Sequence, residues 1–242
     1  MKTVLITGAN KGIGFEIAKQ LAKLGYFVYL GSRSDAQGLD AIKKLHDLGI
    51  FNVETIQIDV SDSKSVHEAR LVLESKITAL DVLVNNAGIT GAPPQTPSTI
   101  AIHNLEDVLN TNFFGVVRTT QEFLGLLKKS SEPRIVNVAS ELGSLSTHSD
   151  PSWGSYNSAK SLVAYSISKS AVNAYTVQLA YEFKFINFKI NSVTPGHTAT
   201  DLNQFQGAKT VEEGAKPIVK FATLDSDGVT GKFYKQEGEV PW

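Results

Sequence analysis

Short apolar runs alternate with amphipathic stretches along most of the chain. Val4-Leu5-Ile6, Val28-Tyr29-Leu30, Val82-Leu83-Val84 and Ile135-Val136 are continuous apolar segments, as expected of strands covered on both faces. They predict strands near 3–7, 26–31, 53–58, 81–85, 133–139 and 188–194, with a last one near 230–235. Between them Ile13, Ile17, Ala18 and Leu21 recur at helical spacing. Leu105, Val108, Leu109, Phe113, Val116, Val117, Phe123, Leu124 and Leu127 trace a longer stripe of the same period. Helices are predicted near 12–24, 36–48, 62–77, 104–128 and 163–184, with Gly25 and Gly49 where C-caps belong. No repeat, low-complexity tract or linker divides the chain. The reading is a single α/β domain over 1–242, a doubly wound parallel sheet of about seven strands with helices on both faces.

The first strand opens into Thr7-Gly8-Ala9-Asn10-Lys11-Gly12-Ile13-Gly14 and then a helix. Free N–H groups of such a turn and the helix dipole both favour a diphosphate. Gly8 permits the tight turn, Gly12 a close ligand approach, and Gly14 close packing of helix on strand. The spacing is G-x-x-x-G-x-G rather than G-x-G-x-x-G, and no Gly-Lys-Ser/Thr of a P-loop follows. Taken alone, three glycines are equally compatible with plain turn chemistry.

Other strand ends add to the picture. The second ends in Ser32-Arg33, with no acidic residue to receive a ribose 2′-hydroxyl. Arg33 and Lys11 together favour the 2′-phosphate of NADP, although either alone reads as a solvated cation. Asp59, at the third strand's end beside Val60, suits an adenine amino group or a turn. The fourth runs into Asn85-Asn86-Ala87-Gly88, where Asn86 suits either a ribose edge or a tie between strands. Asn112 falls close to the apolar stripe of the long helix, a core amide or a polar relay behind a site. The fifth strand ends in Ser140, and the sixth in Thr194-Pro195-Gly196, followed by His197-Thr198-Ala199-Thr200. Open α/β sheets bind ligands along this carboxyl edge.

Composition narrows the class. Lys and Arg number 23 against 24 Asp and Glu, a net charge of -1, so no basic footprint for nucleic acid or an anionic membrane is present. With no cysteine, disulfides, thiolate catalysis and cysteine–zinc sites are excluded. The five histidines are scattered, and no protein metal site is expected. No apolar stretch approaches the ~20 residues of a spanning helix, and the first run is too short for a signal peptide. A cytoplasmic location is expected.

The set of motifs resembles the short-chain dehydrogenase/reductase family, on its carbonyl-reductase side. It comprises T-G-A-N-K-G-I-G at 7–14, N-N-A-G at 85–88, Asn112, Ser140, Y-S-I-S-K at 165–169 and P-G at 195–196. The resemblance implies an oxidoreductase that reduces ketone or aldehyde carbonyls with NADPH. It implies Tyr165 as general acid–base, Lys169 lowering the tyrosine's pKa and holding the nicotinamide ribose, Ser140 steadying the substrate oxygen, and Asn112 carrying a water relay. It implies a cofactor lying along Gly8, Asn10, Lys11, Gly12, Ile13 and Gly14, past Ser32, Arg33, Asp59 and Val60. The cofactor then follows Asn86, Ala87 and Gly88 to Tyr165, Lys169, Pro195, Gly196, Thr198 and Thr200. The chemistry is coherent: a lysine at i+4 shares the helical face of the tyrosine, and a nearby cation stabilises a phenolate.

The stretch 141–164 is longer than the family commonly has. It contains Leu145, His148, Pro151, Trp153 and a second Tyr-x-x-x-Lys, Tyr156 to Lys160. Pro151 and Gly154 mark it as loop, whereas Tyr165 opens a sustained helical stripe, so Tyr165 is the preferred tyrosine. Leu145 and Trp153, with Leu202 and Phe205, are expected to wall an apolar substrate pocket. A homodimer or homotetramer is expected through the two long helices, since Phe114, Leu126, Tyr175 and Tyr181 lie off the main stripes. Two alternatives stay open: an NAD-dependent alcohol dehydrogenase of the same family, and a non-catalytic NADP-binding regulator. The second has no need of Ser140, Tyr165 and Lys169 together.

Overall fold

The computed structural model describes residues 1–153 and 162–242. The strands are β1 (Thr3–Ile6), β2 (Phe27–Ser32), β3 (Val53–Gln57), β4 (Val82–Asn85), β5 (Arg134–Val138), β6 (Lys189–Val193), β7 (Phe233–Lys235) and β8 (Gly238–Glu239). They form one sheet in the order β3-β2-β1-β4-β5-β6-β7-β8. All neighbours are parallel except β7 and β8, which pair antiparallel. The sequence leads to about seven strands; the eighth is a two-residue edge piece too short to leave a periodic signal.

Alternation along each strand divides the core. Val4, Ile6, Val28, Leu30, Val82, Val84 and Val136 face α1 (Gly12–Lys23) and α2 (Asp35–Asp47). Leu5, Tyr29, Leu83, Ile135 and Ile190 face α3 (Ser63–Glu74) on the other side of the sheet. Side chains of successive strand residues point to opposite faces, so the same apolar run feeds both layers. The helices α1, α2 and α3 begin and end close to where the sequence indicates. Ser34 and Asp62 cap α2 and α3 through their side chains. Gly25 and Gly49 follow α1 and α2 with φ of +87° and +76°.

The long helix predicted at 104–128 is two helices, α4 (Ile102–Leu109) and α5 (Gly115–Leu127), joined by a π turn over Asn110–Phe114. One extra residue in the turn rotates everything beyond it by about 100° relative to a straight helix. The expectation for Leu126 is corrected: it is buried in the core with Phe123 and Leu127 rather than left on the surface. Tyr175 is half-buried and meets Phe113 edge-on at 6.4 Å. Phe114 and Tyr181 do remain exposed, at 47% and 66%.

Beyond Ser140 come a 3₁₀ turn (Glu141–Gly143) and the short α6 (Leu145–His148). The helix α7 (Val163–Glu182) then crosses the face that bears α3 and α5. One further helix, α8 (Val211–Ala222), has no counterpart in the sequence reading. Pro217 lies inside it and argues against a helix locally. A capping box between Thr210 and Glu213 starts it, and burial of Ala215, Ile218 and Phe221 beside α1 outweighs the proline. Among the described residues no helix is long and apolar enough to cross a membrane.

Candidate active site

The strand order reverses at β1, which lies between β2 and β4 and opens a crevice at the carboxyl edge. The glycine turn sits there. Gly8 and Gly12 adopt φ of +63° and +58°, values that L side chains rarely reach. A Cβ on Gly14 would lie 2.4 Å from the Gly8 carbonyl oxygen and 2.5 Å from Asn86 Nδ2, so helix and turn meet without space between them. Asn86 ties the turn to β4: its Nδ2 donates to the Thr7 and Gly8 carbonyls at 2.9 and 3.0 Å. The Thr7 hydroxyl accepts the Asn86 and Ala87 N–H groups. Thr7 is thus part of the cradle although the sequence reading did not single it out.

Further along the edge, the Ser32 hydroxyl donates to the Ser34 carbonyl at 2.8 Å, and Arg33 is exposed. Asn10 donates to Gln37 Oε1 across the turn. Lys11 pairs with Asp201 at 3.5 Å, joining the glycine turn to the segment after β6. Asp59 closes a local turn by accepting from Ser61 N–H and Oγ. Val60 packs against Gly115, and its carbonyl accepts from Arg118. In the last segment the Thr198 hydroxyl donates to the Pro195 and Gly196 carbonyls, and Thr200 lies over Gly12. Ile13 borders the cradle as a half-buried residue.

At the other end of the crevice stand the polar residues expected to do the chemistry. Ser140 leaves β5 and caps the 3₁₀ turn, accepting from Leu142 N–H at 3.2 Å. Tyr165 lies in the first turn of α7, four residues before Lys169. The Lys169 ammonium lies 5.5 Å from the Tyr165 ring centroid and donates to the Val138 carbonyl at 2.7 Å. Burial lowers Lys169 to about 8. Burial also pushes the Tyr165 phenol up to about 12, against the opposing effect of a hydrogen bond with Ser140. Desolvation therefore outweighs the downward shift expected from Lys169, and the phenol is held protonated.

Asn112 occupies the π turn and is fully buried. It accepts from Ile89 N–H and donates to the Ile89 carbonyl, both at 2.8 Å, and donates to Ser168 Oγ at 3.0 Å. A Cβ on Gly88 would lie 3.3 Å from Asn112 Oδ1 and 3.7 Å from Lys169 Nζ, so these three residues converge. The structure thus gathers every candidate residue along one edge, from Gly8 to Thr200. Besides Thr7, it shows two that the sequence reading missed, Gly143 and Gln95. Gly143 accepts from Ser170 and Asn173 and lies against Lys169. The one available signal for it was a glycine three residues beyond Ser140.

Tyr156 and Lys160 lie outside the described residues. Of the expected pocket walls, Leu145 is 70% exposed, and Trp153 lines a hollow with Thr147, Asp150, Lys235 and Pro241. Leu202 and Phe205 are exposed at 44% and 64%. Among the described residues no three His, Asp or Glu side chains are grouped to hold a metal ion.

A glycine-turn crevice at the switch point of a doubly wound sheet, with Ser140, Tyr165 and Lys169 at its other end, marks the Rossmann type of fold. Residues 2–210 match the short chain dehydrogenase family. The chain belongs to that family. It is 32% identical to a (+)-neomenthol dehydrogenase of Capsicum annuum, over 95% of this chain and 94% of that protein. The structure of salutaridine reductase from Papaver somniferum superposes with a TM-score of 0.84 at 30% identity, covering 97% of this chain and 99% of that one. The structure of ElxO with NADP bound superposes with a TM-score of 0.83 at 29% identity, covering 97% and 96%.

Proposed function

We propose that this oxidoreductase is an NADPH-dependent carbonyl reductase in which Tyr165 is the general acid. One observation carries the reading: the Tyr165 phenol is hydrogen-bonded with the Ser140 hydroxyl, and the Lys169 ammonium lies 5.5 Å from its ring. Reducing a ketone or aldehyde leaves negative charge on oxygen. A positioned acid and a hydroxyl donor stabilise that charge as it develops.

The residues fit a nicotinamide dinucleotide. Gly8 and Gly12 hold left-handed backbone that bares N–H groups at the start of α1, where a diphosphate is favoured. Asn10, Lys11, Gly12, Ile13 and Gly14 would hold the diphosphate. Ser32, Arg33 and Lys11 would hold the 2′-phosphate, and Asp59 and Val60 the adenine. Asn86, Ala87 and Gly88 would border a ribose, with Tyr165 and Lys169 on the nicotinamide ribose and Pro195, Gly196, Thr198 and Thr200 beyond. When bound, the nicotinamide supplies the hydride for the carbonyl carbon. Lys169 stabilises the phenolate left after proton transfer, and Asn112 holds the polar path along which the proton is replaced. NADPH is favoured over NADH by two cations at the ribose edge, and one structural neighbour binds NADP. The exposed Leu202 and Phe205 beside the crevice favour an apolar carbonyl substrate.

The test is a panel of aryl ketones, aromatic aldehydes and sugar phosphates, each with NADPH and with NADH, followed by cofactor absorbance. Turnover of the apolar carbonyls with NADPH supports the reading. Better reduction of phosphorylated or polyhydroxylated carbonyls, or equal use of NADH, sinks it.

A further inference from the structure

The segment leaving β4 beyond Gly88 is bolted to its surroundings by side-chain amides. Asn112 clasps the backbone of Ile89 through both its N–H and its carbonyl. Eight residues earlier, Asn104 does the same to Ala92, accepting its N–H at 3.0 Å and donating to its carbonyl at 2.5 Å. Gly91 between them has φ of +82°, and a Cβ there would lie 2.6 Å from Asn104 Oδ1 and from Val108 Cγ2. The strut is therefore close-packed.

Its far end is Gln95, which is 3% exposed. Gln95 Nε2 donates to the Thr90 carbonyl at 2.7 Å, and Gln95 Oε1 accepts the Ala164 N–H at 3.0 Å. Ala164 immediately precedes Tyr165. The N-cap residue of α7 is Leu162, which has no side-chain oxygen and makes no cap. The first N–H groups of a helix have no partner within it, and a buried one left unpaired is costly. Gln95 supplies this partner from 69 positions away in sequence.

We propose that Gln95 is a positioning residue for the reaction, a remote cap that fixes Tyr165 relative to the Gly88 end of the crevice. The proposal rests on the reading of Tyr165 as general acid. Losing the cap loosens the turn that aims the phenol. The glycine turn and the ribose edge keep their own contacts, so the effect falls on kcat rather than on nucleotide affinity.

Gln95→Met keeps the length of the side chain and removes both hydrogen bonds, whereas Gln95→Glu keeps an acceptor for the Ala164 N–H. The variants are compared with wild type for reduction of 4-nitrobenzaldehyde, for NADPH affinity by fluorescence, and for amide exchange across 162–168. Gln95→Met is expected to lose about tenfold in kcat, with NADPH Kd within about twofold and faster exchange in the first turn of α7. Gln95→Glu, which keeps the acceptor for Ala164 but loses the donor to the Thr90 carbonyl, should recover part of the kcat. Wild-type kcat in Gln95→Met, or parallel losses of kcat and NADPH affinity, overturns the proposal. Should Gln95→Met fail to fold, exchange in wild type decides. Protection of the Ala164 amide equal to the helix interior supports the cap, and rapid exchange there overturns it. Tyr165→Phe separates the two ideas. If it keeps turnover, both fail; if it is inactive while Gln95→Met turns over normally, the inference about Gln95 alone fails.

Discussion

Gly143 and Lys169 approach so closely that a Cβ on the glycine would lie 2.7 Å from the Lys169 carbonyl carbon and 2.8 Å from its Cβ. The carbonyl of Gly143 also accepts from Ser170 and Asn173, so the loop that carries Ser140 is seated on α7 at this point. Any side chain at 143 must push the two elements apart. Gly143→Ala is expected to cost about 1–3 kcal/mol in stability, read by chemical denaturation. It should also lower kcat, because Ser140 and Tyr165 lie on opposite sides of the contact. Gly125→Ala is the control. Nothing lies within 4 Å of a Cβ at that exposed site in α5, and alanine there should be neutral or stabilising by up to about 1 kcal/mol.

Two tyrosines carry the same Tyr-x-x-x-Lys spacing. Tyr165→Phe removes the acidic proton while keeping the ring, and turnover should fall at least about a hundredfold with NADPH binding intact. Tyr156→Phe should retain most of the activity. Equal losses in the two variants, measured as kcat with the same aldehyde, would place the active site on the wrong tyrosine.

Lys169 gives the pH dependence a defined sign. Its ordinary value of 10.5 falls to about 8 in the fold. Between those values the unfolded chain holds a proton that the folded chain has released, so this group makes stability rise with pH. The raised Tyr165 acts the other way, but only from pH 10 to about 12. The stability of wild type minus that of Lys169→Met should therefore increase from about pH 8 to pH 10 in denaturation curves. A flat difference would mean that the amine is not desolvated. For kcat/KM of carbonyl reduction, loss of the Lys169 charge predicts a fall as pH rises through about 8.

Cofactor choice is expected to follow Arg33. This exposed cation stands at the end of β2, where a 2′-phosphate would lie. Arg33→Asp replaces it with an acceptor for a 2′-hydroxyl. The kcat/KM ratio of NADPH to NADH should drop by about a hundredfold and reverse. An unchanged ratio would assign the preference elsewhere.

Phe114 and Tyr181, on α5's border and on α7, stay exposed at 47% and 66% in the single chain. A homodimer covering them should scatter light at about twice the 26.2 kDa of one chain. Tyr181→Glu should shift the population towards monomer, because a charge would be desolvated at the contact. A wild-type mass of one chain rules the assembly out.

The sequence determined what local chemistry can determine. Apolar runs specified strands buried on both faces, and helical spacing specified the layers around them. The glycines at 8 and 12 announced a turn that other residues rarely adopt, Gly14 announced close packing of helix on turn, and Ser140, Tyr165 and Lys169 carried the family resemblance by residue type and order. Contacts between segments distant in sequence were decided only by the tertiary structure. Leu126, off the stripe read from the sequence, is buried because α5 packs against the sheet and its neighbouring helices over a wider face than that stripe. Burial raised the Tyr165 phenol, although its spacing to Lys169 pointed downward, because desolvation depends on everything packed around the ring. The Gln95 cap on Ala164 and the seating of Gly143 on Lys169 leave no periodic or motif signal. Such pairings exist only once the chain has folded, since neither partner has a local reason to prefer the other.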